Sequence, residues 1–176
     1  MAAAQTAHAG SAYLAWHACW ALSAIAFDCK AGKEACLAAG AVPVVVAALT
    51  AHASAGEAAV AVYACRALGV IATWVPGQDA CVAAGAIPAI VGALGKLADN
   101  EGVAEEACFA LKNLAWRSPS HRAAIVAAGA VPLLAAVLAR FRRSFSTSNA
   151  HAALEKLGFT DAGRPLGEEE EEEEED

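Results

Sequence analysis

The sequence predicts an all-α fold of stacked helical repeats, and three observations carry that prediction. A hexapeptide recurs as Ala38-Ala39-Gly40-Ala41-Val42-Pro43, Ala83-Ala84-Gly85-Ala86-Ile87-Pro88 and Ala127-Ala128-Gly129-Ala130-Val131-Pro132, with its glycines 45 and 44 residues apart. A second motif keeps the same phase: Ala18-Cys19-Trp20-Ala21-Leu22, Ala64-Cys65-Arg66-Ala67-Leu68 and Ala107-Cys108-Phe109-Ala110-Leu111. Alanine dominates the apolar residues, which favours helices and lets them approach closely, and no strand-like alternation competes. A period of this length belongs to helical solenoids, which bury a core by stacking units and present a long surface in place of an enclosed pocket. Binding is therefore the first function such a chain suggests.

The elements follow in order. Ala18 to Ala26 forms a helix in which Cys19, Leu22 and Ile25 fall three residues apart, on one stripe facing the stack. The first hexapeptide ends one helix and starts another: Gly40 suits the left-handed residue past a helix C-terminus, and Pro43 suits N1 of the next, where its missing N–H costs nothing. Cys65, Leu68 and Ile71 repeat the stripe, Gly85 and Pro88 the corner, Cys108, Leu111 and Leu114 the stripe, and Gly129 and Pro132 the corner.

Several function classes are poorly served by these residues. Cys19, Cys65 and Cys108 share one repeat position, and Cys36, Cys81 and Ile125 another, so five of the six cysteines read as small buried hydrophobes. Cys29 falls outside both sets and is the candidate reactive thiol. No C-x-x-C pair seeds a zinc site. The five histidines fall at unrelated phases, with no metalloprotease, nucleophile-elbow or phosphate-loop motif, so neither catalysis nor a cofactor or metal is expected. Apolar runs break before the roughly 20 residues of a membrane span. The alanine-rich start has neither a basic n-region nor presequence arginines, so a cytoplasmic or nuclear address is expected.

The two motifs together resemble the armadillo repeats of importin-alpha, beta-catenin and the vacuolar armadillo proteins. The likeness spans about Ser11 to Gly158. It implies an armadillo-type α-α superhelix of about three and a half three-helix repeats, a right-handed solenoid. Residues 12–27 would then be the last helix of a partial repeat, followed by repeats at 28–72, 73–115 and 116–158, between a flexible N-terminus (1–11) and an acidic, disordered tail (159–176). HEAT repeats are the nearest alternative, but their two-helix units explain the Gly-x-x-Pro corner less well.

By the same resemblance the third helices line a concave groove that holds an extended peptide, which makes the chain a non-enzymatic protein-binding scaffold. Import adaptors grip the peptide with Trp and Asn four residues apart. Here those positions are Trp20 with Ala24, Arg66 with Val70, Phe109 with Asn113, and Ala152 with Lys156, so one Asn of the ladder survives. The groove candidates are Trp16, Trp20, Arg66, Phe109, Asn113 and Lys156, while Trp74 and Trp116 are expected to pack between repeats. A nuclear import adaptor for basic localisation signals is the alternative reading.

Charge is sorted along the chain. Glu168 to Asp176 hold nine of the nineteen acids, and the rest of the chain carries +2 against −7 for the whole. Such a run of like charge is expected to be solvated and unpacked. Laid back over the last repeat, it would compete with an acidic ligand in a salt-dependent way. The bases collect at the other side of the count, with Arg117, Arg122, Arg140, Arg142 and Arg143 as an expected basic patch. The loop from Arg140 to Asn149 interleaves arginines with phenylalanines, which gives a third reading as a binder of nucleic acid or acidic surfaces, although one loop without a nucleic-acid fold ranks last. Ser144 and Ser146 beside these arginines are candidate phosphorylation acceptors. Finally, the apolar N-terminal end shows no polar cap, which points to further repeats in a longer protein or to end-to-end self-association.

Overall fold

A computed structural model of the protein describes residues 11–141 and 145–166, apart from the side chains of 145 and 146. Ten helices account for most of these residues: α1 (Ala12–Ala26), α2 (Lys30–Ala38), α3 (Ala41–Ser54), α4 (Ala58–Ile71), α5 (Val75–Ala83), α6 (Ala86–Lys96), α7 (Glu101–Leu114), α8 (Pro119–Ala127), α9 (Ala130–Arg140) and α10 (Phe145–Leu157). Polar side chains start four of them. Ser11, Cys29, Asn100 and Ser118 each accept a bond from a backbone N–H three residues on, at 3.4, 3.3, 3.0 and 3.3 Å, satisfying amides that the first turn leaves without a carbonyl.

The three hexapeptides form three matching corners. Gly40, Gly85 and Gly129 take φ of +67°, +80° and +81°, and the helices on either side bend by 77°, 74° and 76°. Ala39, Ala84 and Ala128 close the preceding helices by donating to Ala35, Ala80 and Ala124. The prolines sit two residues later than expected. Pro43, Pro88 and Pro132 are the third residues of α3, α6 and α9, because the glycine caps both helices and Ala-Val/Ile supply the first two positions. They remain within the first turn, where no intrahelical N–H bond is lost.

Helices at equivalent positions pack on one another. The third helices α1, α4, α7 and α10 form one layer in that order, and α3, α6 and α9 form a second layer against it. Between the layers lies the core, with Leu49, Leu68, Ile71, Ile90, Leu94, Leu111, Leu114, Leu134 and Leu154 fully buried. Each such leucine or isoleucine contributes about 1.5–3 kcal/mol by leaving water. The predicted stripe is buried as expected on α4 and α7. On α1 it holds only for Cys19: Leu22 is half-buried and Ile25 is exposed.

Residues 159–166, expected in the unpacked tail, instead turn back onto the stack. Phe159 packs against the core, Leu166 N–H donates to Gly158 at 2.8 Å, and Gly163 lies against Val131 and Ala135 on α9. An aromatic and the turn glycine Gly163, with Gly158 just before them, distinguish this segment from the glutamates after it. Residues 1–10 and the acidic run lie outside the described residues. No single helix among the described residues is long and apolar enough to cross a membrane.

Candidate functional site on the third-helix layer

The third helices bury two sides in the stack and leave a third uncovered. On α4 the uncovered positions are Ala59, Val62, Tyr63 and Arg66; on α7 they are Gly102, Glu105, Glu106, Phe109 and Asn113. Spacings of three and four residues place each set on one helical face. These faces are linked from helix to helix. Trp16 on α1 meets Tyr63 on α4 with ring centroids 6.0 Å apart, and Arg66 Nη1 donates to Glu106 Oε1 on α7 at 3.1 Å. Lys112 Nζ then donates to Asn149 Oδ1 on α10 at 2.7 Å. Lys156 returns from α10 with its Nζ 3.9 Å from the centre of the Trp116 ring, a cation–π contact.

The α4–α7 step is the most closely fitted. A Cβ on Gly69 would come within 2.5 Å of the Phe109 ring, so the ring lies directly over the glycine. Asn113 Nδ2 donates to the Gly69 carbonyl at 3.0 Å, and the buried Gln78 Nε2 donates to the Asn113 backbone carbonyl at 2.8 Å. The amide that the resemblance assigns to a peptide backbone therefore holds two third helices together, with its Oδ1 left as the acceptor.

Electrostatics vary along the face. Burial pushes the Glu106 carboxyl up, a shift that the facing Arg66 partly offsets. Burial also lowers the Lys112 ammonium, and the like charge of Lys156 lowers it further. Near α1 the surface is aromatic instead, with Trp20 56% exposed and Tyr13 edge-on to Trp16. The face thus runs from an aromatic end, through a carboxylate pair at Glu105 and Glu106, to two lysines bracketing Phe109 and Trp116.

All six groove candidates lie on third helices. Trp20 and Arg66 are exposed, while Trp16, Phe109, Asn113 and Lys156 are half-buried. Tyr63, Glu106, Lys112, Asn149 and Trp116 also belong to the face and were not among the groove candidates. Tyr63, Glu106 and Asn149 each lie three residues before Arg66, Phe109 and Ala152, so carrying the repeat register one turn back would have found them. Trp116 is a correction: it is 51% exposed beneath Lys156 and does not fill the space between repeats.

The basic patch is divided. Arg140 pairs with Asp99, just before α7 begins. Arg117 is exposed beyond the end of α7, and Arg122 Nη1 turns to the Ala115 carbonyl at 3.4 Å. The fourteen residues of α7 separate the two groups by about 20 Å. A count of charge along the chain misses this because successive helices reverse direction. Arg142, Arg143, Ser144 and the Ser146 side chain lie outside the described residues.

Burial pushes the Cys19 thiol up to about 11 and those of Cys81 and Cys108 up to about 12, and raises Cys36 and Cys65 as well. Cys29 is exposed, and its Sγ caps α2. Among the described residues no three His, Cys, Asp or Glu side chains converge as a metal site.

No family model matches the chain, and no curated protein matches it. Among solved structures it is similar to the crystal structure of an engineered protein, with a TM-score of 0.75 at 29% sequence identity. The match covers 85% of this chain and 58% of that one, so this chain spans less than two thirds of the engineered protein's length. The likeness supports an all-helical, repeat-like fold.

Proposed function

We propose that the chain is an armadillo-type solenoid of about three and a half three-helix repeats and that it serves, without catalysis, as a protein-interaction scaffold holding an extended peptide along the third-helix layer. The observation that carries this reading is the unbroken run of helix-to-helix contacts from Trp16 to Lys156, which leaves Trp20, Arg66 and Trp116 exposed on one face. Aromatic and arginine side chains are the types that most often dominate interface energy. Four third helices at about 8–10 Å spacing span roughly 24–30 Å, the length of about eight residues in extended conformation. Six free cysteines with no disulfide fit a reducing compartment, cytoplasmic or nuclear.

The test is titration of the chain with basic, acidic and mixed peptide libraries, followed by Trp20→Ala and Arg66→Ala on the peptide selected. We expect each substitution to weaken binding by about tenfold or more, with unchanged far-ultraviolet circular dichroism. Equal binding by both variants and the parent would refute the assignment of the face. Selection of basic peptides alone would support the import-adaptor alternative in place of a general scaffold, and selection of RNA or DNA over every peptide would overturn both.

A further inference from the structure

We propose that the chain self-associates through α1, with two copies meeting antiparallel about a two-fold axis. Leu14, Ala18, Ala21 and Ile25 lie in one row on α1. Their repeat equivalents are Val60, Ala64, Ala67 and Ile71 on α4, and Val103, Ala107, Ala110 and Leu114 on α7, all at most 1% exposed. What separates the rows is the neighbour: α4 has α1 before it and α7 has α4, whereas no described helix precedes α1. Leu14 is accordingly 48% and Ile25 53% exposed, and Ala18 and Ala21 are exposed between them. Val44 on α3 continues the same end of the stack at 66% exposure, while its equivalents Ala89 and Leu133 are half-buried. The surface is thus the acceptor half of an interface the molecule builds three times internally, between α1 and α4, α4 and α7, and α7 and α10.

Three observations select a second copy, and α1 within it, as the occupant. The row is spaced four, three and four residues, which reads the same in both directions. An antiparallel partner therefore seats Leu14 against Ile25 and Ala18 against Ala21, with the alanines at the crossing permitting close approach. The helix carries no Asp, Glu, Lys or Arg, so pairing it with itself desolvates no full charge. Head-to-tail stacking lacks that advantage. The corresponding outer positions of α10 are His151 and Glu155, both exposed, and His151 Nδ1 contacts Asp161 Oδ1 at 2.5 Å in the returning 159–166 segment. Placing that cluster under Leu14 and Ile25 would bury charge without compensation.

Sedimentation of the full chain over a dilution series tests the proposal. The expected result is a reversible monomer–dimer equilibrium that Ala18→Arg and Ile25→Glu each weaken by about a hundredfold or more, with helical content unchanged because both positions are exposed. In a Cys29→Ser background, mixing Ala18→Cys chains with Ala21→Cys chains should give disulfide-linked pairs faster than either alone. A parent that stays monomeric, one that grows beyond the dimer, or a dimer that survives both substitutions would overturn the proposal. Two further results would do the same: dominant cross-linking of Ala18→Cys to itself, and a dimer that forms only after deletion of residues 1–10.

Discussion

Replacing Gly85 by alanine isolates what the corner asks of the backbone. Gly85 has φ of +80°, and a Cβ added there would meet nothing within 4 Å, so the cost is conformational and owes nothing to crowding. A left-handed conformation costs an L-residue about 1–2 kcal/mol. Loss of glycine's freedom in the unfolded chain returns about 0.4–1 kcal/mol of that. The expected net loss is about 1 kcal/mol, a fall in Tm of about 2–4 °C for a chain of this size. Gly85→Asn should recover part of it, because asparagine tolerates this region better than alanine. Gly40 and Gly129 occupy equally open corners in different repeats, so alanine at all three should cost about 3 kcal/mol. Urea unfolding monitored by circular dichroism, with the slope unchanged between variants, supplies the measurement. Equal losses for alanine and asparagine, or no loss for alanine, would show that the positive φ does not set the stability of the corner.

The other predictions concern packing and titration. Leu114→Ala and Ile71→Ala should each cost about 2–5 kcal/mol, whereas Ile25→Ala, the same repeat position on α1, should stay within about 0.5 kcal/mol in the monomer; urea melts on dilute protein decide this. Gln78→Ala should cost about 0.5–1.5 kcal/mol, the net worth of its bond to the Asn113 carbonyl, which keeps the Trp116 N–H as a second donor at 3.2 Å, and Gln78→Glu should not restore stability. For the buried thiols the sign is fixed by pKa values raised above the ordinary 9.0, to about 12 for Cys108. The native state then keeps protons that the unfolded chain gives up, so stability is complete below pH 9 and declines towards pH 12, by about 1.4 kcal/mol per pH unit for each such thiol. Cys108→Ala should shift the acid side of the curve by its packing cost and flatten the alkaline arm relative to the parent, as read by stability measured from pH 8 to pH 11.

The repeat was legible because its determinants are local. A left-handed corner needs glycine wherever it occurs, and a helix facing a flat layer needs apolar residues three and four apart, so Gly85, Leu68 and Leu111 announce their roles without reference to distant parts of the chain. The placement of Pro43 was less legible: proline is tolerated throughout the first turn, and sequence alone does not choose among those positions. The face itself was read incompletely. Arg66 and Asn113 were found, but their partners Glu106 and Gly69 lie 40 and 44 residues away, a distance that only the stacking of third helices makes short. Trp116 misled for a similar reason. A tryptophan just past a helix reads as packing until Lys156, forty residues on, is seen to lie over its exposed ring.

The matching depth of Cys19, Cys65 and Cys108 gives the molecule a set of internal probes. A thiol reagent can reach each of them only while its own helix is lifted from its neighbours, so the modification rate at each position reports how often that part of the array opens. Solenoid stability is propagated between nearest neighbours, and openings that start at the ends of the described stack should expose Cys19 on α1, the first described third helix, more often than Cys65 on α4. Exposed Cys29, modified first, sets the rate for an unhindered thiol in the same tube. A single time course with mass-spectrometric readout would thus yield a position-resolved profile of cooperativity along the array, with no residue having been introduced to obtain it.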